Sequence, residues 1–284
     1  MDTQLFFIVS SGRSGTQAME KLLAACPEVE MHHEYLCTHV QPLAVRHYLG
    51  LTTLAESCAE LMQLHGAAAH YCQRPLFGDS SNKLAWLIQP LIRIFPRAKF
   101  IHLVRDGRKV VSSFYNKLAD ECYDDRSTAI LQNWYDNPAS HPPPPPEKKY
   151  WWNVPRKGSE LAEPFRRFDQ FQRICFHWRE VNRVILNDLA CVPPQQQRRY
   201  RLEDLTTQPA LLDELFDFIG LPPPPPDALR RPHNVNRPIN FSLNERQKQQ
   251  FWAIAADMMD EFGYSGTPEY EVIYDPDQPR ESSQ

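Results

Sequence analysis

The opening of the chain constrains its fold most. Leu5-Phe-Phe-Ile-Val9 is an unbroken apolar run of strand formers, which suits a strand buried on both faces. Ser10-Ser-Gly-Arg-Ser-Gly15 interrupts it with small residues, and Thr16 to Ala25 then sets Met19, Leu22 and Leu23 at helical spacing until Pro27 stops the helix. A strand, a glycine/serine loop and a helix in direct succession make an α/β unit suited to phosphate. Glycines let the loop curl so that its N–H groups point inward, and the helix N-terminus adds a dipole favouring an anion.

A second unit repeats this grammar. Trp86 to Phe95 is expected as an amphipathic helix interrupted by Pro90, and Phe100 to Val104 as a strand. Asp106-Gly107 turns into a helix over 108–118, so Arg105 sits at a strand end and Ser113 about two turns into the helix behind it. Ligands of open parallel sheets bind beyond the carboxyl ends of the strands. Arg13 and Arg105 are therefore expected to face one crevice. The fold class is α/β, a P-loop-containing three-layer fold with a central parallel sheet flanked by helices.

Further along, residues 120–163 are rich in Trp, Tyr, Pro and Asn and are expected to form an irregular, aromatic-lined insertion. Phe165 to Leu189 reads as a long helix, Gln197 to Leu202 as a strand, Pro209 to Ile219 as a helix ended by Gly220, and Leu243 to Phe262 as the last helix. Two pure proline runs, 142–146 and 222–226, can neither continue a helix nor join a sheet interior. They are read as stiff surface loops, with docking of a proline-recognising partner as the alternative.

The formal charge of −4 gives no whole-chain reason to expect nucleic acid or an anionic membrane, so any bound anion must be met by local clusters. Seven scattered cysteines without a C-x-x-C pair fit reduced thiols. With an acidic Asp2 and only a short apolar run at the start, no secretory signal is expected, and the location is read as cytoplasmic.

The first loop lacks the lysine of G-x-x-x-x-G-K-[ST]; its cation is Arg13. R-S-G-T after the first strand and V-R-D-G-R-x-x-x-x-S after a later one together resemble the sulfotransferases that use 3′-phosphoadenosine 5′-phosphosulfate (PAPS), most of all the branch with the tyrosylprotein and many bacterial enzymes. The resemblance runs from about Leu5 to Lys117 and thinly beyond, through Arg201-Leu-Glu-Asp-Leu205. It implies that Gly12, Arg13, Ser14, Gly15, Thr16 and Gln17 hold the 5′-phosphosulfate and that Arg105 and Ser113 hold the 3′-phosphate. Leu202 stands where the family often has a tyrosine near adenine. The implied domain covers 1–270 with a polar tail over 271–284, and the implied donor is PAPS, with no metal.

Sulfonyl transfer needs a base for the acceptor's proton. Glu34 follows Arg13 at the separation seen in the tyrosylprotein branch, and in Met31-His-His-Glu-Tyr35 its rivals are His33 and His32, or a purely structural cluster. Partial burial is expected to lift the Glu34 carboxyl. Lys83 is placed on the transferring sulfonate by the resemblance, against the alternative of a solvated surface lysine. Asn236-Arg237 is a further candidate for closing over the nucleotide. Trp134, Tyr135, Trp151 and Trp152 are candidates for lining an acceptor pocket or for core packing. The acceptor is expected to be a small molecule, with a glycan or peptide open. The rival readings are a P-loop kinase, which would need a loop lysine and magnesium carboxylates, and a non-catalytic nucleotide-binding or polyproline-interaction protein.

Overall fold

A computed structural model describes residues 3–118, 120–225, 228–229 and 242–268. Pro226, Asn236-Arg237 and the tail over 271–284 lie outside the described residues. In chain order the elements are β1 (Gln4–Val9), α1 (Thr16–Ala24), β2 (Val29–His33), α2 (Cys37–Tyr48), α3 (Leu54–Leu61), α4 (Ala67–Tyr71), β3 (Leu76–Ser81) and α5 (Ile88–Ile94). Then follow β4 (Lys99–Val104), α6 (Gly107–Lys117), α7 (Asp125–Asp136), α8 (Ala162–Phe165), α9 (Gln170–Leu189), β5 (Gln197–Arg201), α10 (Leu202–Thr207), α11 (Pro209–Ile219) and α12 (Glu245–Glu261).

The strands form one sheet in the order β2-β3-β1-β4-β5, and every neighbouring pair is parallel. Because side chains alternate across a strand, β1 sends Phe7 and Val9 into one core with Leu43, Trp86, Phe100 and Trp178. It sends Phe6 and Ile8 into the other, with Met19, Leu23, Ile101 and Phe216. Each fully buried aromatic or aliphatic side chain contributes about 1.5–3 kcal/mol, so both faces must be covered by helices.

Local signals set several helix ends. Asp169 and Gln172 form a capping box at the start of α9, and Gly220 at φ 90° closes α11. The capping box starts the helix expected over 165–189 at Gln170, so Phe165 falls instead at the end of the separate short helix α8. The helix expected over 86–95 starts later, after a 3₁₀ turn over Leu84–Trp86, and α5 is not interrupted at Pro90, which sits in its first turn where a missing N–H costs no helical bond. The insertion is less irregular than its composition suggests, because Asp124 accepts the Ser127 N–H and starts α7.

The chain turns from one side of β1 to the other between β3 and β4, which opens a crevice at the carboxyl ends of the strands. The loops after β1, β2, β3 and β4 carry Arg13, Glu34, Lys83 and Arg105 respectively. Among the described residues no helix is long and apolar enough to cross a membrane.

Candidate active site

The loop after β1 is a cradle of left-handed turns, with φ 81° at Gly12, 54° at Arg13 and 87° at Gly15. Glycine adopts this conformation freely, whereas at Arg13 it costs about 1–3 kcal/mol. The strain is held by the loop's own bonds. The Ser14 hydroxyl donates to the Gly12 carbonyl at 3.0 Å, and the Gly12 N–H donates to Ser10 Oγ at 3.0 Å. Space is as tight as the torsion: a Cβ on Gly12 would lie 2.6 Å from Asn82 Nδ2, and one on Gly15 would lie 2.7 Å from Leu202 Cδ1. Leu202 therefore packs on the loop itself. Thr16 opens α1, and Gln17 follows within its first turn.

Arg13 and Arg105 converge. Arg13 Nε donates to Ser113 Oγ at 2.9 Å, and an Arg105 guanidinium N–H donates to the Arg13 carbonyl at 2.8 Å. Burial and then the neighbouring Arg105 charge both lower the Arg13 pKa, so the site holds positive charge under mutual repulsion. A bis-anion would relieve that repulsion, and the donors around it are those a phosphate or sulfonate accepts from.

Across the crevice, the turn after β2 sets Glu34 at φ 54°. Its N–H donates to the Ser80 carbonyl at 3.0 Å, and the next N–H, of Tyr35, donates to Asp79 Oδ1 at 3.3 Å. Asp79 is wholly buried and its other oxygen meets His65 Nε2 at 3.3 Å, so the turn rests on a buried polar pair. The Glu34 carboxylate bridges two ammoniums, Lys83 Nζ to Oε1 at 3.2 Å and Lys148 Nζ to Oε2 at 3.4 Å. Burial pushes its carboxyl up, but the two lysines outweigh burial and hold it at about 2. The lift expected from burial alone is thus reversed. Lys83 is no surface lysine: its side chain is 4% exposed, lies 5.3 Å over the Trp152 ring, and burial lowers it to about 8 against the pull of Glu34.

The two histidines diverge because they alternate along β2. His33 Nδ1 is bonded to Ser80, at 3.0 Å to the carbonyl and 2.9 Å to the hydroxyl. His32 turns to Glu30 at 3.2 Å and packs on Phe77 and Tyr35.

Beside Lys83 lies a small cavity walled by Gln41, Asn82, Trp86, Trp152, Asn153 and His177. The side-chain oxygens of Gln41, Asn82 and Asn153 are buried there and have no hydrogen-bond partner among the described residues. Burial lowers His177 to about 4, so the neutral ring donates from Nε2 to the Ser11 carbonyl at 3.0 Å. Of the four aromatics singled out, Trp151 and Trp152 line this cavity. Trp134 meets Trp151 edge to face at 5.7 Å, and the buried Tyr135 hydroxyl accepts the Lys157 N–H at 3.1 Å.

Lys148, Asp79, Gln41 and Asn82 were not singled out from sequence. Asp79 leaves a trace there, a carboxylate inside the strand Leu-Phe-Gly-Asp-Ser-Ser; Lys148 leaves none beyond its place after a proline run.

The matches to known proteins agree with this arrangement. The sequence profile of the sulfotransferase family matches residues 6–141, which include Arg13, Glu34, Lys83, Arg105 and Ser113. Residues 6–141 belong to the sulfotransferase family. A protein-tyrosine sulfotransferase of Drosophila melanogaster is 30% identical over 134 residues, an alignment covering 40% of this chain and 25% of that protein. The chain thus spans about a quarter of the relative's length.

Among solved structures, a sulfotransferase from Mycobacterium avium superposes with a TM-score of 0.53 at 11% identity, covering 92% of this chain and 77% of its own. One from Alicyclobacillus acidocaldarius gives 0.51 at 12% identity, covering 93% and 97%. The sulfotransferase domain from the curacin biosynthetic pathway gives 0.50 at 17% identity, covering 93% and 98%. At such identities the likeness is one of fold, and it extends the sulfotransferase architecture past residue 141.

Proposed function

We propose that this protein transfers the sulfonate of PAPS to a hydroxyl or amine of a small-molecule acceptor, releasing adenosine 3′,5′-bisphosphate. The observation that carries the reading is the join between the two anion loops, Arg13 Nε on Ser113 Oγ and Arg105 on the Arg13 carbonyl. It supports the reading because a nucleotide phosphorylated at both ends needs two cations brought together, and Arg13 and Arg105 are so joined.

In this reading the loop N–H groups of Ser14, Gly15, Thr16 and Gln17 take the 5′-phosphosulfate, Gly12, whose own N–H is held by Ser10 Oγ, supplies the turn that aims them, and Arg105 with Ser113 takes the 3′-phosphate. The acceptor oxygen or nitrogen bonds to sulfur as the sulfur–oxygen bond to the 5′-phosphate breaks, and the acceptor's proton passes to Glu34. Arg13 offsets charge growing on the bridging oxygen, and Lys83 offsets charge on the sulfonate. A well-placed donor of this kind lowers the barrier by about 3–4 kcal/mol. The unpaired amide oxygens of Gln41, Asn82 and Asn153 favour an acceptor that brings hydrogen-bond donors.

Thermal shift tests the reading. Adenosine 3′,5′-bisphosphate at 100 times its Kd should stabilise the protein by about 2.7 kcal/mol, and ATP with magnesium should not. A response to ATP alone would replace this reading with a kinase.

A further inference from the structure

The proline run over 142–146 leads into Lys148, and Lys148 ends on Glu34. The backbone of this strap is tied down at several points. The Trp151 indole N–H donates to the Pro145 carbonyl at 2.7 Å. The Gln41 amide donates to the Lys148 carbonyl at 3.2 Å and to the Trp151 carbonyl at 2.7 Å. Prolines have little conformational freedom to lose, so the strap is stiff by composition as well.

The two lysines on Glu34 differ in how easily they can leave. Lys83 is 4% exposed, and moving it would disturb the packing against Trp152. The Lys148 side chain is 39% exposed, and a cation so placed gives up an ion pair to water at little cost. Oε2 is therefore the oxygen of Glu34 that can be opened without unpacking the site.

Resting on Glu34 as the acceptor's base, we infer that Lys148 is a guard on that carboxylate: it covers Oε2 while no acceptor is bound, so that water is not activated there and the sulfonate donor is spared hydrolysis, and it yields to an arriving acceptor. In the reaction prevented, a water oxygen bonds to sulfur, the sulfur–oxygen bond to the 5′-phosphate breaks, one water proton passes to Glu34, and sulfate and adenosine 3′,5′-bisphosphate leave. Exclusion of water from a site holding an activated group is a general need of transferases.

The charges facing Glu34 act in the same sense. Lys83 from the loop after β3, Lys148 from the strap and His33 from β2 together hold the carboxyl down at about 2. A carboxylate so held is a poor base near neutral pH. Swinging Lys148 away removes one of the two ammoniums on the carboxylate as the acceptor arrives, so basicity rises when it is needed.

The test is acceptor-free release of labelled sulfate from PAPS by the wild type, Lys148→Met, Lys148→Arg and the double variant Lys148→Met/Glu34→Gln. Affinity for adenosine 3′,5′-bisphosphate is measured beside each. Lys148→Met should hydrolyse PAPS at least about tenfold faster than wild type, Lys148→Arg should return to the wild-type rate, and the double variant should lose the gain. A Lys148→Met rate at or below wild type, with bisphosphate affinity intact, overturns the guard. A double variant as fast as Lys148→Met shows instead that Glu34 is not the base. Failure of the wild type to bind the bisphosphate removes the donor reading and the guard with it.

Discussion

Arg13 and Ser113, a hundred positions apart in the chain, meet side chain to side chain with Nε donating to Oγ at 2.9 Å. The contact joins the loop after β1 to the middle of α6, and with the Arg105 bond to the Arg13 carbonyl it fixes the orientation of the cations of both loops. Pre-oriented charge lowers the reorganisation cost of binding an anion.

Arg105→Ala should weaken adenosine 3′,5′-bisphosphate binding by roughly 10- to 100-fold, since a charge-assisted hydrogen bond contributes about 1.5–3 kcal/mol. The substitution also frees the Arg13 carbonyl, so the loop should loosen while the fold stays intact. Calorimetric titration checks it; unchanged affinity would place the nucleotide elsewhere.

Glu34→Gln keeps the shape of the side chain and removes its capacity to take a proton. Turnover should fall by roughly 10²–10⁴-fold with little change in bisphosphate affinity. His33→Ala and His32→Ala should cost far less, because His33 is engaged with Ser80 and His32 with Glu30. Wild-type turnover in Glu34→Gln would move the base elsewhere.

The pH–rate profile follows from the lysine pair. With Glu34 held at about 2, its carboxylate is ionised throughout the working range, and kcat/KM should show no acid limb between about pH 5 and 7. Lys83, lowered to about 8, is charged below that value and neutral above it. Its charge on the sulfonate, and hence kcat/KM, should decline as pH rises through about 8. An acid limb near ~6.5 would point to a histidine base.

Gly15→Ala meets two penalties, a φ of 87° and a collision with Leu202 Cδ1 at 2.7 Å. Gly158 is a control, with φ 77° and open space around it. Both alanine variants should lose about 1–2 kcal/mol of stability to the left-handed backbone. Only Gly15→Ala should also lose bisphosphate affinity, because its neighbour is the cradle. Equal binding by both variants would separate the loop from the nucleotide.

Much of the fold was legible because its signals are local. The βα units at 5–25 and 100–118 announce themselves by an apolar run, a turn and helical spacing. The helix over 209–219 is bounded by a proline and a glycine that act within one turn. By contrast, β2 and β3 carry Glu30, His32, His33, Asp79, Ser80 and Ser81, and polar residues in a strand look like loop until their partners are known. Asp79 tolerates full burial because His65 and the Tyr35 N–H face it.

By itself the sequence determined the cradle: the glycines that permit left-handed turns, Arg13 within it, and Arg105 and Ser113 at strand-end and helix spacing, all set by neighbours a few residues away. Only the tertiary structure decided the state of the carboxylate opposite. Burial alone would lift Glu34, as the sequence led one to expect. Lys83, 49 positions away, and Lys148, 114 positions away, approach within 3.2 Å and 3.4 Å and reverse the sign. Coulomb energy depends on distance in space and on the medium between the charges, and neither is written in the order of residues along the chain.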